Sequence, residues 1–236
     1  LLAGSLPLKE GKEEAKEPIK AHILKLLNEK YGITEADFQS AELEAVPAFK
    51  ACDIGLDRSL IGAYGHDDRV CAYPALLAEI ETKKPSYTTV TVLTDKEETG
   101  SDGNTGLNSS YLRYFIEDLA ADFGERGTTV LSKSECLSAD VNAAFDPTFP
   151  SVMEKKNASF INYGVVVTKY TGARGKSGSS DAAAEVMGYV RRLFAEHDVI
   201  WQTGELGKVD QGGGGTIAKY MANRNIDTID AGVPVL

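Results

Sequence analysis

Two adjacent carboxylates, Glu97 and Glu98, stand where a β-branched run ends and a glycine-rich turn begins, in TVTVLTDKEETGSDGNTG (residues 89–106). Like charges side by side repel unless a cation neutralises them or one keeps its proton. Asp140, in CLSADVNAAFDP, ends another apolar run between small residues, and Asp67 with Asp68 opens a helical pattern in GAYGHDDRVCAY. Buried acids are rarely left unpaired. An oxygen-rich set of acids converging at one sheet edge suits divalent cations. For Asp67 and Asp68, a solvent-facing helix N-cap accounts for the residues equally well. On an extended segment neighbouring side chains point to opposite sides, so Glu98 can turn to a cation while Glu97 faces water and substrate.

Other chemistry-bearing residues say less. His22 and His197 fall on or beside charged amphipathic helices, where a solvated imidazole accounts for them, and His66 precedes Asp67 as a candidate ligand or supporting group. No H-E-x-x-H zinc motif occurs in the 236 residues. The run DQGGGGTIAKY precedes a helical stretch, so its amides could form an anion site. It matches neither a phosphate-binding loop nor a dinucleotide fingerprint, and a tight turn or a close backbone approach fits it better. Cys52, Cys71 and Cys136 are odd in number and lack Cys-x-x-Cys spacing, which indicates neither a disulfide framework nor a thiolate zinc site and favours a reducing, cytoplasmic setting.

The elements that must position these residues follow from periodicity. Ile19, Ile23, Leu26 and Leu27 predict an amphipathic helix over 12–31 with Gly32 as its C-cap, and Thr34 with Asp37 predicts a capping box. SAELEAVPA alternates as a strand does. Beyond Asp67, strands and helices alternate. Helices are expected over Arg69–Glu81, with Pro74 in an early turn, around Leu112, Phe115, Ile116 and Leu119, over Asp181–Glu196, and after the glycine run. Strands are expected at Tyr87–Thr94, Glu135–Val141, Ile161–Lys169, Val199–Thr203 and Thr228–Val235. Helical crossovers of this length imply a mostly parallel, covered sheet, and ligands then bind outside the carboxyl ends of its strands. Glu97, Glu98 and Asp140 all fall at such ends.

Composition sets limits on partners. Thirty-five acids against 25 bases, a net charge of −10, argue against nucleic acid as a partner, because polyanion binding relies on clustered Lys and Arg. The longest apolar stretches fall short of the roughly 20 residues of a membrane helix. The opening LLAGSLPLKE lacks the marks of a signal peptide, and truncation at both ends is expected.

Five runs, GLDRSLIGAYGHDDRVCAY, DKEETGSDGNTG, SADVNAAFDP, KYTGARGKSGSSDAAAE and WQTGELGKVDQGGGGTIAKYMANRNIDTIDAGVPVL, together resemble the aspartyl aminopeptidase and vacuolar aminopeptidase I family of dinuclear zinc peptidases, most closely its bacterial aminopeptidase I branch. The likeness covers nearly the whole chain in the family's order. It implies a phosphorylase-like α/β fold, a mostly parallel sheet flanked by helices, carrying the remnant of an inserted β-rich dimerisation domain. Residues 1–56 would be the C-terminal part of that insert and 57–236 an incomplete catalytic domain.

By the same resemblance, Asp67 matches the carboxylate bridging two metal ions, Glu98 and Asp140 a further ligand for each, and Glu97 the general base. Lys169 and Lys176 fall at substrate-facing positions, Lys176 where relatives can carry Tyr. The ions implied are zinc, with cobalt or manganese as alternatives. Two such ions lie roughly 3.5–4 Å apart, hold a bridging water and lower its pKa, and Glu97 would take that water's proton and deliver it to the leaving amine. The family's two imidazole ligands lie upstream of the insert and just after the segment matching DAGVPVL, so both are expected outside these 236 residues. The His that acid-specific members carry three positions after the Asp140 equivalent is Ala143 here, so the resemblance implies no preference for acidic N-termini. The activity implied is release of single N-terminal residues from peptides, by a homo-oligomer in which dimers build a larger assembly. Two other readings are a non-catalytic assembly or binding subunit that keeps the fold without a complete metal site, and a phosphate-binding module built on the glycine run.

Overall fold

A computed structural model describes residues 17–174, 177–208 and 210–236. The chain forms two compact units, one up to Phe49 and one from Lys50 to Leu236.

In the first unit, helix α1 (Pro18–Tyr31) begins with Pro at its first position and ends at Gly32 in the left-handed conformation (φ 72°), whose N–H donates to the Asn28 carbonyl. Both are standard helix-end chemistry. Residues 12–16 of the expected helix lie outside the described residues. Helix α2 (Glu35–Ser40) has the expected capping box: Thr34 Oγ1 accepts from the Asp37 N–H and the Asp37 carboxylate accepts from the Thr34 N–H. The strand expected over 40–48 is absent, and these residues are exposed with no ladder partner. Alternation shows which positions share a face, but a strand forms only where a second one supplies hydrogen bonds.

The second unit opens with a small antiparallel pair, β1 (Cys52–Ile54) and β2 (Leu60–Gly62). Helix α3 (His66–Glu81) follows and carries Pro74 within it. Helices α4 (Tyr111–Ala121) and α5 (Gly127–Leu131) precede β3 (Glu135–Ser138) and the short β4 (Asn142–Ala143). Then come β5 (Val165–Thr168), β6 (Tyr170–Ala173), β7 (Ser177–Asp181), α6 (Ala184–Glu196), β8 (Trp201–Thr203), β9 (Gly213–Gly214), α7 (Ala218–Ala222), β10 (Asp227–Gly232) and β11 (Pro234–Val235).

The central sheet has the order β3-β10-β5-β8. The β3/β10 and β5/β8 pairs are parallel and β10/β5 is antiparallel, so the architecture is α/β with a mostly parallel sheet. Leu107, Leu112, Ile116, Leu131 and Ile226 form one buried cluster, and Val167, Ala182, Val190, Ile229 and Ala231 form another. Leu112 and Ile116 are two of the four positions that announced α4, whereas Phe115 stays exposed. Ile229 and Ala231 enter the second cluster, so Asp230 between them points to the opposite face of the sheet.

Two expectations need correction. Residues 87–94 form no strand and join no sheet among the described residues. Just after them, Asp95 forms an isolated bridge with Gly106. The segment expected to lead from β5 directly to α6 instead folds a three-stranded sheet, β7-β6-β9. Its glycines and serines carry almost no apolar periodicity. The glycine run supplies β9, and a Cβ at Gly213 (φ 103°) would lie 2.3 Å from the Gly172 carbonyl oxygen. The run is therefore a close backbone approach, and the helix after it has five residues.

Candidate functional site

Asp140 is presented by a break between two parallel ladders. Before it, Ser138 pairs with Asp230; after it, Asn142 pairs with Pro234. Residues 139–141 are thus held at both ends while leaving the ladder between them. Gly232 makes room for this. A Cβ there would lie 1.4 Å from the Asp140 carbonyl oxygen and 3.2 Å from Cys71 Sγ of α3, so three elements meet where only a glycine fits. Cys71 is 5% exposed, and burial above all pushes its thiol up to about 11.

Glu97 and Glu98 do not lie on a strand. They occupy a 3-10 turn, Glu97–Thr99, bracketed by Lys96 (φ 63°) and Gly100 (φ 91°), both left-handed. The two side chains are separated by the roughly 120° per residue of a 3-10 turn, which replaces the strand alternation expected for them. The turn is closed by Ser101 N–H donating to the Lys96 carbonyl (2.8 Å). It is tied to α7 by Tyr220 Oη donating to the Gly100 carbonyl (2.8 Å). Asp67 is the second residue of α3, with non-helical backbone (φ −78°, ψ 113°), and its neighbour Asp68 pairs with Arg69 at 2.9 Å.

Asp67, Glu97, Glu98 and Asp140 line one broad concavity of about 1400 Å³ and act on one another electrostatically. Burial first, then the charge of Asp67, pushes Asp140 up to about 6, against the lowering effect of the Val141 N–H that donates to its Oδ1 at 2.7 Å. Burial also raises Glu97, with Asp140, Glu98 and Asp67 contributing in that order. This donor set fits a divalent cation, because its oxygens are hard and its charges resist being together without one. Among the described residues, no three His, Cys, Asp or Glu side chains are drawn close enough to hold an ion.

The other candidates fall elsewhere. Lys169, between β5 and β6, pairs with Asp181 and does not line the acid-bearing concavity. Its neighbours Thr168 and Tyr170 line a smaller cavity of about 180 Å³ that starts at Val141 and Asn142, directly after Asp140. Lys176 lies outside the described residues. His66 heads α3 but does not line the concavity.

Sequence reasoning missed Asp230. It is 3% exposed on β10 and reaches the smaller cavity, where its Oδ1 is buried without a hydrogen-bond partner, as is Thr171 Oγ1. Burial, opposed by the nearby Ser138 and Thr216 hydroxyls and reinforced by Asp140, pushes it up to about 7. Its signal was present, an acid inside the apolar run TIDAGVPVL, but that run reads first as a strand.

Known proteins show the same frame. A profile of the family described as aminopeptidase I zinc metalloprotease (M18) matches residues 3–236. A probable M18 family aminopeptidase 1 from Clostridium acetobutylicum is 50% identical over 240 residues, covering 100% of this chain and 51% of that protein. The crystal structure of an M18-family aminopeptidase from Thermotoga maritima superposes with a TM-score of 0.88 at 47% identity, over 99% of this chain and 52% of that one. The crystal structure of aminopeptidase I from Clostridium acetobutylicum gives 0.85 at 51% identity, over 99% and 51%. The chain spans about half the length of the relatives it matches. With a mostly parallel α/β sheet, four carboxylates lining one concavity, and both sequence and backbone shared with these proteins, the chain belongs to the M18 family of aminopeptidase I zinc metalloproteases.

Proposed function

We propose that this chain contributes the carboxylate side of a metal-dependent aminopeptidase that releases single residues from the N-termini of peptides. The observation that carries the reading is the mutual electrostatic pressure among Asp67, Glu97, Glu98 and Asp140 at one concavity, in a chain of this family. Asp67, Glu98 and Asp140 would hold two divalent ions, zinc in first place and cobalt or manganese as alternatives. When bound, such ions polarise a scissile carbonyl and lower the pKa of an attacking water.

Glu97 supplies the proton transfer. Burial and three neighbouring acids raise its affinity for a proton, which suits a group that must accept one from water and give it up to the departing amine. The backbone at Asp140 is held on both sides by ladders, and the Val141 N–H donates to its Oδ1. Lys169 and Lys176 are proposed to face substrate on the resemblance alone. Residues 1–56 are proposed as the C-terminal part of an inserted dimerisation domain in a homo-oligomeric assembly.

The test takes the protein completed to the length of its relatives, with metal content and aminoacyl-amide hydrolysis measured on the same sample. Glu97→Gln is expected to lower kcat by about 10²–10⁴-fold with metal stoichiometry unchanged. Full activity in that variant, or absence of stoichiometric zinc, cobalt or manganese in the parent, would sink the reading. The second of those results favours a non-catalytic subunit.

A further inference from the structure

Among the described residues, the buried side-chain oxygens without a hydrogen-bond partner are Ser138 Oγ, Thr171 Oγ1 and Asp230 Oδ1. They come from three strands far apart in sequence, and the fold gathers them. Asp230 pairs in register with Ser138 of β3 on one side and Thr168 of β5 on the other, so these three side chains form a row on one face of the central sheet. Asp230 and Thr168 line the smaller cavity of about 180 Å³, and so do Thr171 of β6 and Thr216, which precedes α7. The Thr168 hydroxyl is held by a buried amide: Asn142 Nδ2 donates to Thr168 Oγ1 (3.3 Å), and Ser159 Oγ donates to Asn142 Oδ1 (2.6 Å). Among the described residues no Lys, Arg or His forms an ion pair with Asp230.

Buried charges are paired or bind a metal ion. We propose that the smaller cavity is a binding site for a monovalent cation, sodium or potassium, held by Asp230 Oδ1 and the hydroxyls of Thr168, Thr171 and Thr216. The donors are all oxygens, which selects a hard cation. They supply one carboxylate among neutral hydroxyls, so a single positive charge balances the site, whereas a divalent ion would leave an uncompensated charge in the interior. The cavity is roomy enough for waters to complete the coordination. Its rim carries the exposed Glu205, Asp210 and Lys208, a net charge of one negative that favours cation entry. An ion there ties the central sheet, through β5 and β10, to the β7-β6-β9 sheet at Thr171 and to the glycine run at Thr216. None of Asp67, Glu97, Glu98 and Asp140 lines this cavity, so the site is independent of what the acid-bearing concavity holds.

The test takes the protein completed to the length of its relatives, with zinc present throughout, and melts it in sodium, potassium or choline chloride at equal ionic strength, so that general screening cancels. Sodium or potassium is expected to raise Tm by about 2 °C over choline. Asp230→Asn, which keeps the shape and removes the charge, is expected to lose that response, and Thr171→Val to weaken it. Crystals soaked in rubidium chloride are expected to show an anomalous peak beside Asp230 Oδ1. Equal Tm in the three salts, a response that survives Asp230→Asn, or a cavity that holds water and no rubidium would overturn the proposal. So would a rubidium peak confined to the acid-bearing concavity. Should Asp230→Asn fail to fold, the Thr171→Val response and the rubidium position decide.

Discussion

Asp230 shows what burial does to a carboxylate that nothing neutralises. Its ordinary value of 3.8 applies to the unfolded chain, and folding pushes it up to about 7. The folded state therefore holds the proton more tightly, so the stability this group contributes is fully present below about pH 4 and is lost as pH rises through about 7. Asp230→Asn, measured by thermal melting from pH 4 to 8 without added metal, is expected to flatten that decline and to be at least as stable as the parent at pH 8. A decline of unchanged slope would assign the pH dependence to other acids. At this scale much of the site was legible. Glu97, Glu98 and Asp140 stood out because acids at the ends of apolar runs are anomalous, Asp67 because it opens a helical pattern beside another acid, and the structure places all four on one concavity. Asp230 escaped because an acid in the middle of an apolar run reads as a solvent-facing position of a half-exposed strand. Only the sheet order shows that strand to be central.

Elements with a periodic apolar face were legible, and those held together by backbone proximity were not. Helices α4 and α6 followed from spacing, since Leu112, Ile116 and Val190 are core residues at helical intervals. The β7-β6-β9 sheet had no such face, and its packing rests on glycine contacts that sequence does not rank. The turn bearing Glu97 and Glu98 was misread as a strand end for a related reason: its shape comes from left-handed Lys96 and Gly100 and from the Tyr220 tether across more than a hundred residues. Tyr220→Phe removes that tether and leaves the Gly100 carbonyl to water. It is expected to cost about 0.5–1 kcal/mol in urea unfolding and to weaken divalent-metal binding by loosening the turn. Unchanged metal affinity would show that the turn is rigid without α7.

For the whole molecule, the acid excess that first argued against nucleic acid takes on a second meaning. A net charge of −10 includes a carboxylate cluster in which Asp67 and Glu98 raise the proton affinity of Asp140 and Glu97, so a bound cation should favour the folded form. With zinc at about 100 times its dissociation constant, the protein completed to its relatives' length is expected to gain about 2.7 kcal/mol of stability. That gain should read as a higher Tm, be reversed by chelation, and be abolished by Glu98→Gln with Asp140→Asn. A Tm indifferent to zinc would exclude a folded-state metal site. The Gly232 contact also carries a genetic consequence. Every missense change reachable from a glycine codon by one nucleotide introduces a Cβ, and at this position any Cβ falls on the Asp140 backbone. In a saturation library selected for folded, metal-binding protein, position 232 is accordingly expected to return only synonymous codons, and a recovered alanine there would show that the Asp140 strand can yield.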